Sequence, residues 1–250
     1  MRFVIFGGGC YGSFYARQLL RAHAAGVSVT EIVVVDHNET PSARTTLQSP
    51  LLQFVKQEWD EFCDAYFDAL PPSATDQIVP PPFTPHLALA WLLRRLPKDR
   101  PELHWSLEPV RRFPGTPFQQ QGAGGPLTLS HADWICPVHC VEPEICPKTR
   151  DVRYWDVATT VDHWTHALAE GGQAVTQTHL FQCLHYTHGV GTYPAAKVVT
   201  ARAAIASAAA TQAQPLRFLV GTVSRCHGAV NLLKADLGTD TVSMSEPYSP

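Results

Sequence analysis

The stretch RFVIFGGGCYGSFYARQLL (residues 2–20) decides how the chain begins to fold. Phe3 and Ile5 alternate within the apolar run ahead of the glycines, a pattern that predicts a buried strand. Behind the glycines, apolar residues recur at helical spacing: Phe14, Ala16, Leu19 and Leu20. The stretch therefore predicts a strand, a tight glycine-rich turn and a helix in immediate succession.

The turn has the spacing G-x-G-x-x-G, with glycines at Gly7, Gly9 and Gly12. This spacing suits a bound dinucleotide. The first glycine permits the tight turn, the second lets a pyrophosphate approach the backbone, and the third lets helix and strand pack closely. The helix N-terminus would offer free N–H groups and the positive end of its dipole to the phosphates. The next apolar run, EIVVVDHN (residues 31–38), predicts a second strand ending at Asp36, whose carboxylate would accept hydrogen bonds from the ribose hydroxyls.

Residues 2–36 resemble the Rossmann dinucleotide-binding fingerprint, and the N-terminal half is similar to the nucleotide-binding domains of bacterial potassium-uptake regulators. The resemblance implies that a dinucleotide is held by Gly7, Gly9, Cys10, Tyr11, Gly12 and Asp36. A carboxylate at Asp36 would repel the 2′-phosphate of NADP and so favours NAD, whereas His37 and Arg44 keep NADP open. The alternative is a structural glycine turn that binds nothing.

Strands and helices alternate along most of the chain, which predicts an α/β fold. We expect a doubly wound, mostly parallel Rossmann-like sheet with a Cys-rich insertion, and a helix over residues 50–70. The expected organisation is a single domain over 1–235, with a long loop insertion at 101–132 and a Cys-rich loop at 136–147, followed by a polar tail at 236–250. A separate C-terminal α/β lobe starting near residue 151 is the alternative.

The segment CPVHCVEPEICP (residues 136–147) brings Cys136, Cys140 and Cys146 close together, with His139 among them. Closely spaced thiolates and a histidine suit a tetrahedral zinc ion. Cysteines followed by proline are also typical of iron–sulfur loops. The C-x3-C-x5-C spacing matches neither the zinc-ribbon nor the common ferredoxin pattern. A catalytic or redox thiol at Cys140 or Cys146, and small buried side chains without chemistry, therefore stay open as alternatives.

Several histidines follow later apolar runs, and three of them are candidate catalytic acids or bases: His185, His188 and His227. These three histidines and Cys226 are also candidates for a fourth metal ligand, besides His139. In a parallel sheet the carboxyl ends of all strands share one edge. We therefore expect these residues to converge beside the dinucleotide held by the glycine turn.

Composition narrows the partners that are compatible with the chain. Its 19 basic and 22 acidic residues give a net charge of −3, without the basic surface of a nucleic-acid-binding protein. No apolar run approaches the roughly 20 residues of a membrane span, and no signal peptide precedes the first strand, so a cytoplasmic location is expected. In that reducing compartment, seven cysteines favour metal or redox chemistry over disulfides.

Together these patterns predict an NAD(P)-binding protein of the oxidoreductase class, with a zinc or iron–sulfur site beside the nucleotide. A non-catalytic nucleotide-sensing or assembly subunit of a larger complex is the competing interpretation. The expected ligand is a dinucleotide, and both a homo-oligomer and a place in a larger complex stay open.

Overall fold

The computed structural model describes residues 1–82, 86–112, 115–122, 126–137, 140–187, 189–211, 213 and 215–237. Within these ranges the helices are α1 Cys10–Ala24, α2 Ser42–Thr46, α3 Trp59–Ala69, α4 Leu87–Asp99, α5 Val157–Glu170 and α6 Ala196–Thr211. The strands are β1 Arg2–Phe6, β2 Glu31–Asp36, β3 Leu52–Lys56, β4 Gln77–Val79, β5 Leu103–Glu108, β6 Phe118–Gln121, β7 Leu127–Ser130, β8 Gln177–Gln182, β9 Leu184–Thr187, β10 Val190–Pro194, β11 Leu216–Val223 and β12 His227–Leu237.

The opening stretch folds as the predicted strand, glycine turn and helix. Gly7 has a φ of +90°, a left-handed conformation that glycine adopts without strain. A Cβ at Gly12 would overlap the carbonyl oxygen of Gly7, so only glycine lets α1 approach β1 this closely. The two outer glycines of the turn are therefore required by its backbone geometry alone.

The first sheet has the strand order β3-β2-β1-β4-β10-β9. Strands β3, β2, β1 and β4 are parallel to one another, but β10 joins β4 in antiparallel orientation and β9 is antiparallel to β10. The sheet therefore combines a parallel N-terminal half with two antiparallel strands from a distant part of the chain.

The second sheet has the order β6-β7-β12-β11-β8, and β5 also pairs with β12. All of its pairings are antiparallel except the parallel pair β11–β8. The long strand β12 holds the sheet together, because it pairs with β11 along one side and with β7 and then β5 along the other.

Helices α3, α4 and α6 fill the space between the two sheets. Their buried side chains, including Trp91 and Ile205, form one core with Phe6 of the first sheet and Phe218 of the second. On the outer face of the first sheet, α1 packs on the side chains of alternate strand residues such as Ile5. On the outer face of the second sheet, α5 does the same.

The predicted doubly wound, mostly parallel Rossmann-like sheet is wrong, since the fold consists of two mixed sheets. The difference arises at the run LRFLVGTVSRCHGAVNLL (residues 216–233), whose pattern fits a strand, a glycine turn and a helix but which forms β11 and the start of β12. Only Ser224, Arg225 and Cys226 separate β11 from β12, and so short a connection allows an antiparallel hairpin but no helical crossover.

Two segments differ from their predicted secondary structure. The helix expected over residues 50–70 is divided, because β3 occupies Leu52–Lys56 and only α3 is helical. The apolar run within 52–56 joins the edge of the parallel half beside β2, where extended backbone groups gain hydrogen-bond partners. Residues 101–132, expected to be a loop insertion, contribute strands β5, β6 and β7 to the second sheet.

Across the part of the chain described by the structure, every helix is too short or too polar to cross a membrane.

Ion pairs tie the three central helices together. The guanidinium of Arg95 on α4, whose side chain is 7% exposed, lies 3.0 Å from Asp64 and 2.7 Å from Asp68 on α3. Asp68 also lies 3.0 Å from Arg202 of α6, which pairs in turn with Asp99 of α4 at 2.7 Å. The charged groups thus bridge all three helices in the layer that separates the sheets.

Arg95→Ala is expected to lower the free energy of unfolding by about 3 kcal/mol, because it removes a buried cation shared by two carboxylates. Urea denaturation measures the change. The matched control is Lys98→Ala, which removes an exposed cation from the same helix and should change stability by less than about 0.5 kcal/mol. Equal effects of the two substitutions would contradict a stabilising role for the network.

Candidate functional site

A cavity of about 850 Å³ is lined by residues of both sheets and of α1. One wall consists of Tyr11 and Tyr15 of α1 and the prolines 80–82 that follow β4. The opposite wall comes from β7, the β11–β12 hairpin and the Cys-rich loop. The cavity is therefore bounded by both sheets and by the predicted dinucleotide-binding helix.

The end of β2 braces the glycine turn. Asp36 is 8% exposed, and its carboxylate accepts hydrogen bonds from the N–H of Gly8 at 2.7 Å and the N–H of Asn38 at 2.8 Å. Each carboxylate oxygen keeps a further lone pair for another donor. A Cβ at Gly9 would meet no protein atom within 4 Å, so the turn is open to its surroundings at this position.

Glu142 fastens the Cys-rich loop to the β11–β12 hairpin. Its buried carboxylate accepts hydrogen bonds from the hydroxyl of Ser224 at 2.7 Å, the N–H of Arg225 at 2.9 Å and the N–H of Cys226 at 3.3 Å. Glu142 itself has a φ of +48°, a conformation uncommon for a residue with a side chain. The three hydrogen bonds hold the loop in this otherwise unfavourable backbone geometry.

On the cavity wall formed in this way, a thiol, an imidazole and a hydroxyl lie in sequence. The sulfur of Cys136 is 3.9 Å from Nε2 of His227, and Nδ1 of His227 is 3.0 Å from the hydroxyl oxygen of Ser130. The residues come from the Cys-rich loop, from the start of β12 and from the end of β7. The antiparallel pairing of β7 with β12 places His227 directly opposite Ser130.

Further polar groups on the wall are mostly buried. His185 of β9 lies 3.6 Å from the Glu142 carboxylate, yet burial lowers the pKa of its imidazole below the usual value. Burial also raises the pKa of the Cys183 thiol to about 12. At neutral pH, His185 is therefore predominantly uncharged and Cys183 holds its proton.

Several predicted site residues lie together at the cavity: Tyr11, Cys136, Cys140, His185 and His227. Cys10 is exposed at the start of α1, whereas Cys226 is buried under Trp155, whose indole N–H donates to its sulfur at 3.4 Å. The predicted candidates His139 and His188 lie outside the described residues. The expected convergence at one parallel edge does not occur, since His185 and His227 belong to different sheets.

Cys146 is separated from the other two cysteines of the predicted metal site, because it does not line the cavity and is only 3% exposed. Burial alone would raise the pKa of its thiol, but the N–H groups of Thr149 and Lys148 donate to the sulfur and bring the pKa below its usual value. Among the described residues, no three His, Cys, Asp or Glu side chains are arranged to hold a metal ion. Zinc or iron–sulfur binding by the cysteines stays a prediction.

Four residues that line the cavity are not among the predicted site residues: Ser130, Glu142, Ser224 and His86. Glu142 has a signal in the sequence, since an acidic side chain inside a Cys-rich loop can accept hydrogen bonds from backbone N–H groups. Ser130 and Ser224 carry no such signal, because their roles depend on the pairing of β7, β11 and β12.

His86, on the cavity wall, makes the stability of the protein depend on pH. Its Nδ1 lies 3.3 Å from the amide nitrogen of Asn231, which can only donate, so Nδ1 must be unprotonated. Burial lowers the pKa of His86 below the usual 6.5. The stabilisation from neutral His86 is thus present above pH 6.5 and is lost as the pH falls through the lower pKa of the folded state.

We therefore expect the free energy of unfolding to decrease between about pH 7.5 and about pH 5, and His86→Gln to reduce that decrease, because glutamine takes up no proton in this range. Urea denaturation at the two pH values measures both. Other histidines with lowered pKa values, such as His179 and His185, should preserve part of the pH dependence in the variant. An unchanged pH dependence would assign the effect to those histidines alone.

Comparison with known proteins assigns the chain to a family. No curated protein and no solved structure matches it. Residues 88–236 match the model of the family AF_1314_C, described as "Uncharacterized protein, C-terminal domain". The matched region runs from α4 to β12 and contains Cys136, His185 and His227, but not the glycine turn. Because the matched region contains more than half of the residues of the chain, the chain belongs to the AF_1314_C family.

Proposed function

We propose that this chain binds NAD through the Gly7–Gly12 turn and is an NAD(P)-dependent oxidoreductase whose reacting site is the 850 Å³ cavity. The observation that carries the proposal is the position of Tyr11. It belongs to the first turn of α1, directly behind the glycines, and lines the same cavity as Cys136 and His227. A dinucleotide with its phosphates at the helix N-terminus would therefore have its nicotinamide end within reach of these side chains.

The glycine turn suits the phosphates of a dinucleotide. No other described residue lies within 4 Å of a Cβ placed at Gly9. Helix α1 begins at this point, and its first N–H groups can donate hydrogen bonds to a phosphate. The α1 dipole adds a positive end at the same point. Since no basic side chain is needed for this kind of binding, the slightly acidic composition of the chain is compatible with it.

Asp36 supports NAD in preference to NADP. One of its oxygens accepts the hydrogen bond from Gly8 of the glycine turn, and the other accepts from Asn38 just beyond β2. A carboxylate at the end of the second strand is the group that would accept hydrogen bonds from a ribose. Arg44, the cation that could attract a 2′-phosphate, donates instead to the carbonyl oxygen of Glu39 at 3.1 Å.

In such an enzyme NAD supplies the site that accepts or donates a hydride, while the protein orients the substrate and moves a proton. His227, His185 and His86 line the cavity wall, and the imidazole is the side chain that most readily exchanges a proton near neutral pH. The prolines 80–82 and Val223 provide apolar surface that would exclude water from the reacting atoms.

A second candidate function, an assembly subunit of a larger complex, is favoured by a different observation. Large apolar side chains around the Cys-rich loop are exposed: Ile135 by 97%, Tyr154 by 90%, Val152 by 59% and Ile145 by 58%. Exposed apolar groups close together are typical of protein interaction sites. A chain that binds NAD without turning over any substrate would favour this second function.

Gly9→Leu is expected to abolish NAD binding and leave the fold intact, because a Cβ at this position meets no other described residue within 4 Å and the side chain would occupy the space that the pyrophosphate needs. Isothermal titration calorimetry with NAD and NADH measures binding, and circular dichroism with thermal unfolding checks the fold. The contrasting variant is Gly12→Ala, which should unfold the N-terminal unit by collision with Gly7. If the unaltered protein binds neither NAD nor NADP, the turn is only structural and the proposal fails.

Asp36→Asn is expected to reduce the preference for NAD over NADP by at least about tenfold, corresponding to about 1.4 kcal/mol, since it removes the charge that repels the 2′-phosphate. Asparagine can still accept the hydrogen bond from Gly8 but loses the one from Asn38, so circular dichroism and thermal unfolding check that the variant keeps its fold. The ratio of the two dissociation constants measures the change. A strong preference of the unaltered protein for NADP would contradict the role given to Asp36.

A further inference from the structure

The hydrogen bonds of Ser130 determine which nitrogen of His227 carries the proton. The single hydroxyl proton of Ser130 is donated to the carbonyl oxygen of Ala132 at 2.7 Å. The hydroxyl oxygen can then only accept from His227, so Nδ1 of the imidazole is the protonated nitrogen. It follows that Nε2 has a free lone pair, and this is the nitrogen that faces Cys136.

The Cys136 thiol needs that lone pair to become a nucleophile. The Cys136 thiol lies on the cavity wall facing that nitrogen, and His227 is exposed at the same wall. A thiol beside the unprotonated nitrogen of an imidazole is the arrangement in which a general base removes the proton as the nucleophile attacks.

We propose that Cys136 is a catalytic nucleophile, with His227 as its general base and Ser130 as the positioning residue, and that it adds to the carbonyl carbon of a neutral aldehyde bound in the cavity. The oxidation that follows rests on the proposed function, because it requires NAD⁺ as the hydride acceptor. The activation of Cys136 by His227 does not depend on NAD.

The cavity wall defines the substrate class. Five prolines line it, with Leu129 and Val223 as further apolar contacts: Pro80, Pro81, Pro82, Pro126 and Pro137. The described residues of the wall include no lysine or arginine, and Glu142 would repel an anionic group. A carbonyl compound bearing a phosphate or carboxylate is therefore disfavoured, and an aldehyde with an apolar or aromatic body fits.

The reaction has three steps: addition, oxidation and hydrolysis. A bond forms between the Cys136 sulfur and the carbonyl carbon, and the thiol proton passes through Nε2 of His227 to the former carbonyl oxygen, which yields a thiohemiacetal. The C–H hydrogen then leaves as a hydride to NAD⁺ while the hydroxyl proton passes to Nε2 of His227, which yields a thioester on Cys136. Water adds to the thioester carbon, the C–S bond breaks, and the sulfur takes the proton held by His227. The carboxylic acid is released and the remaining proton of the water passes to solvent.

Alkylation of the full-length protein tests the nucleophile without any cofactor. The reduced protein is treated with iodoacetamide, and the rates at Cys136 and at the exposed Cys10 are followed by peptide mass spectrometry. His227→Gln should slow alkylation of Cys136 by at least about tenfold and leave Cys10 unchanged. His179→Gln, which alters a partly buried histidine away from the cavity, should change neither rate.

A second variant keeps the test valid if His227→Gln does not fold. Ser130→Ala removes the group that accepts the hydrogen bond from Nδ1 of His227. It should slow the alkylation of Cys136 by a smaller factor than His227→Gln does, again without an effect on Cys10. Benzaldehyde should protect Cys136 from iodoacetamide, whereas glyceraldehyde 3-phosphate at the same concentration should not. Protection by the phosphorylated aldehyde alone would overturn the substrate class.

Two results would overturn the proposed nucleophile. One is a rate of Cys136 alkylation that neither His227→Gln nor Ser130→Ala changes. The other is a Cys136 that reacts only after treatment with a chelator, which would make it a metal ligand. Calorimetry with NAD separates the two proposals. If Cys136 is activated but NAD does not bind, the oxidoreductase fails alone, and if NAD binds but Cys136 is not activated, the nucleophile fails alone.

Discussion

The candidate site depends on one buried carboxylate, that of Glu142. The Cys-rich loop has little regular structure of its own, and the Glu142 bonds to Ser224, Arg225 and Cys226 attach it to the β11–β12 hairpin. The same hairpin carries His227, so Glu142 attaches the loop beside the imidazole, and the Cys136 sulfur lies 3.9 Å from Nε2 of His227. A charged acceptor makes stronger hydrogen bonds than a neutral one, so a carboxylate with three donors can hold a loop in a defined position.

The local structure of the first 36 residues could be predicted because its causes are local. Strand alternation in β1, the glycine spacing and the helical pattern of α1 all act within a few residues. The grouping of Cys136, His185 and His227 near α1 could be expected as well, although for a reason that proved wrong. They meet across two sheets instead of along one edge.

The sheet topology could not be predicted, because strand pairing depends on partners far away in sequence. The apolar composition of β10 and β11 is equally compatible with parallel and antiparallel neighbours. The short connection at residues 224–226 indicates a hairpin. Gly221 and Gly228 are residues typical of turns, however, so the sequence also fits a strand that ends at Gly221. Both glycines lie in strands, where a Cβ would collide with the neighbouring strand.

The antiparallel pairing of β10 with β4 has a consequence for synthesis of the chain. The hydrogen bond from Thr192 to Gln77 joins residues 115 positions apart, so β4 stays an open edge until the ribosome has extruded β10. Such high contact order slows folding and leaves an unpaired edge exposed to other nascent chains. The edge has built-in protection, since β4 is only three residues long and three prolines without N–H donors follow it. The prolines that line the cavity of the folded protein thus also limit pairing of β4 with other chains before β10 has been synthesised.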